Sequence, residues 1–183
     1  MLRSIVGTAA VLLLTPVLAT AQQGVEVGFD AGLSFRIDDQ SLITAGTVLP
    51  ASQNVPLLMP GAIRIAFPVG VRASIEPRVG FSLAKPEGED ALTALNLGLG
   101  IPINLKDPRR GPYVRPFATF ASLSAGGQSA DQFGAGIGLG HRAAVADRLV
   151  IRLEVFYEHG FESEEFVGAD NIGLLIGLSM FTK

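Results

Sequence analysis

Between residues 133 and 161 the chain alternates apolar and non-apolar residues along two arms joined by a short break. In the first arm Phe133, Ala135, Ile137 and Leu139 fall on one face, and Gly134, Gly136, Gly138 and Gly140 fall on the other. After Ala146-Asp147-Arg148, the residues Leu149, Ile151, Leu153, Val155 and Tyr157 share a face opposite Arg152, Glu154 and Glu158. A period of two is the signature of a β-strand. In a soluble sandwich such an apolar face would be core. Here the pattern recurs in too many strands for so small a chain to cover, so the apolar faces are read as meeting lipid.

The same alternation marks the other strands. Residues 24–36 place Val25, Val27, Phe29, Ala31, Leu33 and Phe35 opposite Glu26, Gly28, Asp30, Gly32, Ser34 and Arg36. Further strands are expected at 59–67, 71–84, 92–104, 113–124 and 171–181. Pro77 lies inside the strand at 71–84 and predicts a bulge, because proline cannot donate to the ladder. The strand at 113–124 leaves its facing open: Val114, Ala118 and Phe120 share one side, Tyr113, Phe117 and Leu123 the other. Residues 37–57 read as the longest loop, with an apolar middle at 42–49 suited to pair as a strand extension. Residues 85–90 and 161–170 read as polar or acidic loops, 125–130 as a small-residue loop, and 68–70 as a tight turn.

About eight strands of roughly ten residues each match the span a tilted strand needs to cross hydrocarbon. The connections alternate between long and short, and an even strand number returns both ends of the chain to one side. The expected fold is all-β: an eight-stranded antiparallel up-and-down transmembrane β-barrel, closed so that no strand edge meets lipid. A soluble barrel with an apolar interior is the alternative architecture.

Composition agrees. Hydrophobic residues make up 48% of 183 residues, and the mean hydropathy is +0.41. Yet no apolar run of spanning length follows residue 21. Residues 1–21 carry Arg3, an apolar stretch and Ala19-Thr20-Ala21, the features of a cleaved secretory signal peptide. Residues 22–183 are then the outer-membrane barrel. The absence of cysteine excludes disulfides and a lipid-anchored lipoprotein. Beyond Arg3 there are 13 basic residues against 17 acidic ones, a balance unsuited to nucleic acid.

The segments GAGIGLGHR at 134–142, ADRLVIRLEVFYEH at 146–159 and IGLLIGLSMF at 172–181, with the signal peptide, give the chain its resemblance to a family. It resembles the small eight-stranded outer-membrane β-barrels, OmpA-like and OmpX-like, of Gram-negative bacteria. The resemblance covers the whole mature chain at the level of pattern. It implies a cell outer-membrane location after cleavage near Ala21, and contact with outer-membrane lipid and lipopolysaccharide. It also implies a surface ligand engaged through the extracellular loops.

The enclosed faces carry the candidate site, a lumen charge network of Glu26, Asp30, Arg64, Arg72, Glu76, Arg78, Arg115, Arg142, Arg152, Glu154 and Glu158, with Arg36 beside it. Unpaired buried charge is costly, so these groups are expected to pair across strands. Such pairing makes a structural or surface-interaction barrel with a filled lumen. The alternative uses are a narrow porin-like channel and a lipid A-modifying enzyme. The deacylases among eight-stranded barrels carry a His-x-Ser pair, which neither His141-Arg142-Ala143 nor His159-Gly160-Phe161 provides. The glycines at 134–140 are spaced by two, unlike a phosphate-binding loop, and suit a narrow lumen. His159, Ser163 and Glu165 lie close in sequence without implied catalytic geometry. Acidic residues crowd the expected outer loops, among them Asp38, Asp39, Glu87, Glu89 and Asp90, but no calcium-loop spacing occurs. Neither catalysis, a cofactor nor a metal is expected.

Overall fold

The computed structural model describes residues 24–37, 42–46, 62–84, 92–126, 128–163 and 168–182. The expected signal peptide and most of the expected 37–57 loop lie outside these residues. The strands are β1 (Glu26–Ile37), β2 (Leu42–Gly46), β3 (Ala62–Val69), β4 (Ala73–Ala84), β5 (Leu92–Gly100), β6 (Ile103–Asn104), β7 (Gly111–Ala125), β8 (Gln128–Ala144), β9 (Leu149–Gly160) and β10 (Ala169–Phe181).

These segments occupy eight positions around a closed antiparallel barrel. β2 and β3 share one edge of β1: β2 pairs its upper half, from Gly32↔Gly46 to Arg36↔Leu42. β3 pairs its lower half, from Glu26↔Ala66 to Asp30↔Ala62. β5 and β6 are likewise one strand broken at Pro102, since Gly100↔Phe117 and Ile103↔Val114 lie in a single register. Around Pro102 the ladder is carried by its carbonyl, which accepts from the Ser74 amide at 3.1 Å. Closure runs along the whole of β1, from Glu26↔Phe181 to Ile37↔Asp170.

Two sequence expectations are corrected and one left open is resolved. Pro77 makes no bulge. Its register holds from Glu76↔Gly100 to Ala84↔Leu92 on one side, and from Ile63↔Val79 to Val69↔Ala73 on the other. The missing amide is accommodated by leaving the ladder unpaired beside Ile65 and Ala66, with no residue inserted. The 125–130 segment is not a loop of that length, because Ala125↔Gln128 already pair. The strand at 113–124 resolves with Tyr113, Arg115 and Phe117 inward and Pro116 and Ala118 outward. The apolar middle of the long loop does pair, over Leu42–Gly46.

The barrel is inside out relative to a soluble protein. Arg64 and Arg152 are 0% exposed, while Leu139 is 60% and Phe29 49% exposed. Aliphatic and aromatic side chains from every barrel position form a continuous outward belt, which hydrocarbon stabilises and water does not. That arrangement is opposite to the soluble barrel with an apolar interior. The turns at 70–72, 105–110 and 145–148 lie at the same end as Gly24 and Thr182, the short-turn end. The other connections lie at the long-loop end.

Leu153 sits midway along β9 on the outward face. Leu153→Arg is expected to destabilise the lipid-embedded barrel by about 2–4 kcal/mol, and Ile151→Arg, nearer the short-turn end, by less. The folded fraction across a urea series, read from the mobility of unboiled protein on a gel, measures both. An arginine that is harmless at both positions would contradict the assigned facing.

Candidate functional site

The charged groups of the lumen and Tyr113 come from inward positions of six strands. β1 supplies Glu26 and Asp30, β3 Arg64, β4 Glu76 and Arg78, β7 Tyr113 and Arg115, β8 Arg142, and β9 Arg152 and Glu154. Alternation alone puts these residues inside, because successive side chains of a strand point to opposite faces.

Arg64 is one hub. Its Nη1 lies 2.5 Å from Glu26 Oε1 and 3.4 Å from Glu76 Oε2. Its Nε donates to Asp30 Oδ1 at 3.1 Å, and its Nη2 to the Ser179 hydroxyl. Arg152 is the second. It reaches Glu76 Oε2 at 2.7 Å through Nη1 and Glu154 Oε2 at 3.0 Å through Nη2. Glu154 also takes Arg115 Nη2 at 2.5 Å and the Tyr113 hydroxyl at 2.7 Å. At the flanks Arg78 Nη2 pairs with Asp30 Oδ2 at 3.0 Å, and Arg142 Nη2 with Glu26 Oε2 at 3.2 Å. Arg142 also donates to the Pro108 carbonyl at 2.7 Å, tying the network to the short-turn end.

Desolvating an isolated ion costs several kcal/mol. Here each carboxylate is shared by at least two guanidinium groups, and bidentate-capable arginine suits such sharing. Five arginines (64, 78, 115, 142 and 152) meet four carboxylates (26, 30, 76 and 154) in the connected network. A fifth carboxylate, Glu158, stands toward the long-loop end, where it accepts from the Thr119 hydroxyl. It forms no ion pair among the described residues.

Glycines make room for the charged groups. A Cβ on Gly28 would lie 2.7 Å from the Arg64 guanidinium, and one on Gly138 would lie 2.5 Å from the Glu154 carboxylate. A Cβ on Gly140 would strike the Tyr113 ring, and one on Gly136 the Tyr157 carbonyl. The glycine run at 134–140 thus sets the space into which the network fits.

Arg72 is a correction to the expected network. It is exposed in the turn between β3 and β4, since the strand begins only at Ala73. The alternation of β4 stops one residue short of Arg72. The side chain of Arg36 lies outside the described residues. Reading by alternation also passed over an apolar layer. Phe117, Phe156 and Leu175 cluster inside the barrel, with the two rings 6.3 Å apart in an edge-to-face arrangement. The Arg115 guanidinium caps the Phe117 ring at 4.3 Å. Parity alone would have placed these residues inside, because Phe156 lies between Glu154 and Glu158, and Leu175 between Gly173 and Gly177. Between this layer and the arginines lies a cavity of about 30 Å³, lined in part by Arg78, Asn96, Arg115, Phe156 and Glu158. That is room for a water or two.

Outside the lumen, His141 is exposed near the short-turn end. His159 Nδ1 lies 2.8 Å from Asp170 Oδ1, which also accepts from the Tyr157 hydroxyl at 2.8 Å. Both contacts are on the exposed outer wall. Glu165 and the acidic residues Asp38, Asp39, Glu87, Glu89 and Asp90 lie outside the described residues. Among the described residues no group of three or more His, Cys, Asp or Glu could hold a metal.

No protein-family model matches the chain, and no curated protein matches it. Among solved structures it is similar to Neisserial surface protein A, with a TM-score of 0.53 and 15% identity, over 87% of this chain and 97% of that one. It is also similar to the outer membrane protein AlkL determined in lipid bilayers, with a TM-score of 0.53 and 16% identity, over 88% and 91% of the two chains. At these identities the likeness carries the fold. The chain has the closed eight-stranded antiparallel architecture of the small outer-membrane barrels.

Glu154→Ala is expected to cost about 3–5 kcal/mol, because it strips a carboxylate from Arg115 and Arg152 together. Replacing Arg115 and Glu154 both by leucine is expected to cost less than the sum of the two single changes. A double-mutant cycle by urea titration in vesicles measures this coupling. Additive costs would mean that the pair is not a buried, desolvated one.

Proposed function

We propose that the protein is a non-catalytic outer-membrane barrel whose lumen is a structural plug and whose task is performed at its surface. The observation that carries this reading is the network around Arg64 and Arg152, which fills the interior with mutually neutralising charge. An eight-stranded barrel has space for little more than its own side chains. A fixed ion-pair core in that space opposes conduction, because a passing ion would have to replace contacts already made.

In this reading the leader at 1–21 directs export, and the outward apolar belt meets outer-membrane lipid. The acidic long-loop connections then face outward as the surface for an extracellular ligand. Function grafted on such a fold resides in its loops, while the barrel supplies a rigid base.

Protein reconstituted into a planar bilayer is expected to give no steady channel at moderate voltage. Glu154→Ala, by hydrating the lumen, is expected to raise leak above the wild type. Sustained large-conductance openings from the wild type would replace the plug by a pore.

A further inference from the structure

The short-turn end carries a ring of cations that the lumen network does not use. The three turns hold Arg72, Lys106, Arg109, Arg110 and Arg148 against only Asp107 and Asp147. Arg72, Lys106, Arg110 and Arg148 are exposed and form no ion pair among the described residues. The long-loop connections have the opposite character, with Asp38, Asp39, Glu87, Glu89, Asp90 and Glu162 in sequence. The barrel is therefore strongly polarised from end to end.

The cations sit on an ordered scaffold. Arg109 Nη1 donates to the Asp147 carbonyl at 3.0 Å, joining two turns, and its guanidinium lies 5.0 Å from the Phe181 ring centroid. The Asn104 amide and side chain both donate to the Arg72 carbonyl, at 2.7 and 3.1 Å. The Phe181 amide donates to the Arg148 carbonyl at 2.9 Å.

Each turn also places an exposed aliphatic residue beside its cations. Val71 precedes Arg72 at 72% exposure, Leu105 precedes Lys106, and Val145 lies three residues before Arg148. These residues continue the outward apolar belt to its rim. Twice the sequence sets a side chain suited to hydrocarbon directly before one suited to phosphate, and in the third turn the two lie three residues apart. A cation at that depth gains from an anionic headgroup, and its aliphatic stem extends the apolar surface.

We infer that this basic rim binds the headgroups of anionic phospholipids, of the phosphatidylglycerol type, in the leaflet that faces the short-turn end. The inference rests on the membrane reading above and adds to it a lipid class and a leaflet. The rim would anchor the barrel vertically and fix which end stays inside.

The test reconstitutes the full barrel in phosphatidylcholine vesicles with trace spin-labelled phosphatidylglycerol or phosphatidylcholine. The electron-spin resonance spectrum gives the fraction of each probe immobilised at the protein. The wild type is expected to favour phosphatidylglycerol by about fivefold, the factor one engaged basic side chain supplies. High salt should reduce the preference. The variant with Arg72→Gln, Lys106→Gln, Arg110→Gln and Arg148→Gln should lose it, while its gel mobility before boiling still reports a folded barrel. If that variant does not fold, the two pairwise variants, Arg72→Gln with Lys106→Gln and Arg110→Gln with Arg148→Gln, should each lose part of the preference. Equal immobilisation of both probes by the wild type would overturn the inference and leave the membrane reading intact. So would a preference that survives removal of the four cations. No immobilised probe of either kind would overturn the membrane reading itself.

Discussion

The guanidinium–carboxylate pairing in the lumen is the interaction on which the rest of this structure depends. A barrel whose outer wall is given over to apolar side chains must put its polar residues inside. Eight strands enclose too little volume to hydrate them freely. Arg64 and Arg152 resolve this by each spanning several carboxylates from different strands, so that Glu26 and Asp30 on β1, Glu76 on β4 and Glu154 on β9 are tied together across the interior. The glycines of β8 follow from the same constraint, because the Glu154 carboxylate and the Tyr113 ring lie where their side chains would be.

Pairing across the lumen also explains how the wall tolerates its irregularities. Pro77 and Pro102 each remove a ladder donor, and β3 covers only the lower half of β1. A two-sided sheet could slip at such points. Here a slip of one residue would expose arginines to the belt and drive leucines into the ion-pair core, so the lumen holds the register that the ladder alone holds less firmly. Toward the long-loop end the network gives way to the apolar layer of Phe117, Phe156 and Leu175. The charged core is therefore concentrated toward the end where the turns are short and tied to one another.

Alternation made the wall and most of the lumen legible from sequence. Parity along β1, β4 and β9 is unbroken, so Glu26, Asp30, Glu76, Arg152 and Glu154 could be placed by counting. It failed where counting meets a turn, as at Arg72, whose strand starts one residue later. Phe156 and Leu175 obey the parity as well, but their apolar type points to the outer belt, and the two signals conflict there. Who pairs with whom was not legible. The contact of Arg64 with Ser179 joins residues 115 apart in sequence, and it exists only because closure sets β10 against β1. That register is a property of the assembled barrel and of no local stretch.

The central claim is that five arginines form a fixed, desolvated core, and their guanidinium protons test it most directly. Nitrogen-15 arginine spectra of the protein in lipid bilayers should show slowly exchanging guanidinium signals for Arg64, Arg78, Arg115, Arg142 and Arg152. Carboxylate carbons of Glu26, Asp30, Glu76 and Glu154 should give through-space correlations to them. Arg72 and Arg110 should exchange rapidly in the same sample. Rapid exchange at Arg64 and Arg152, with no carboxylate correlation, would mean a hydrated and mobile lumen and would contradict the account.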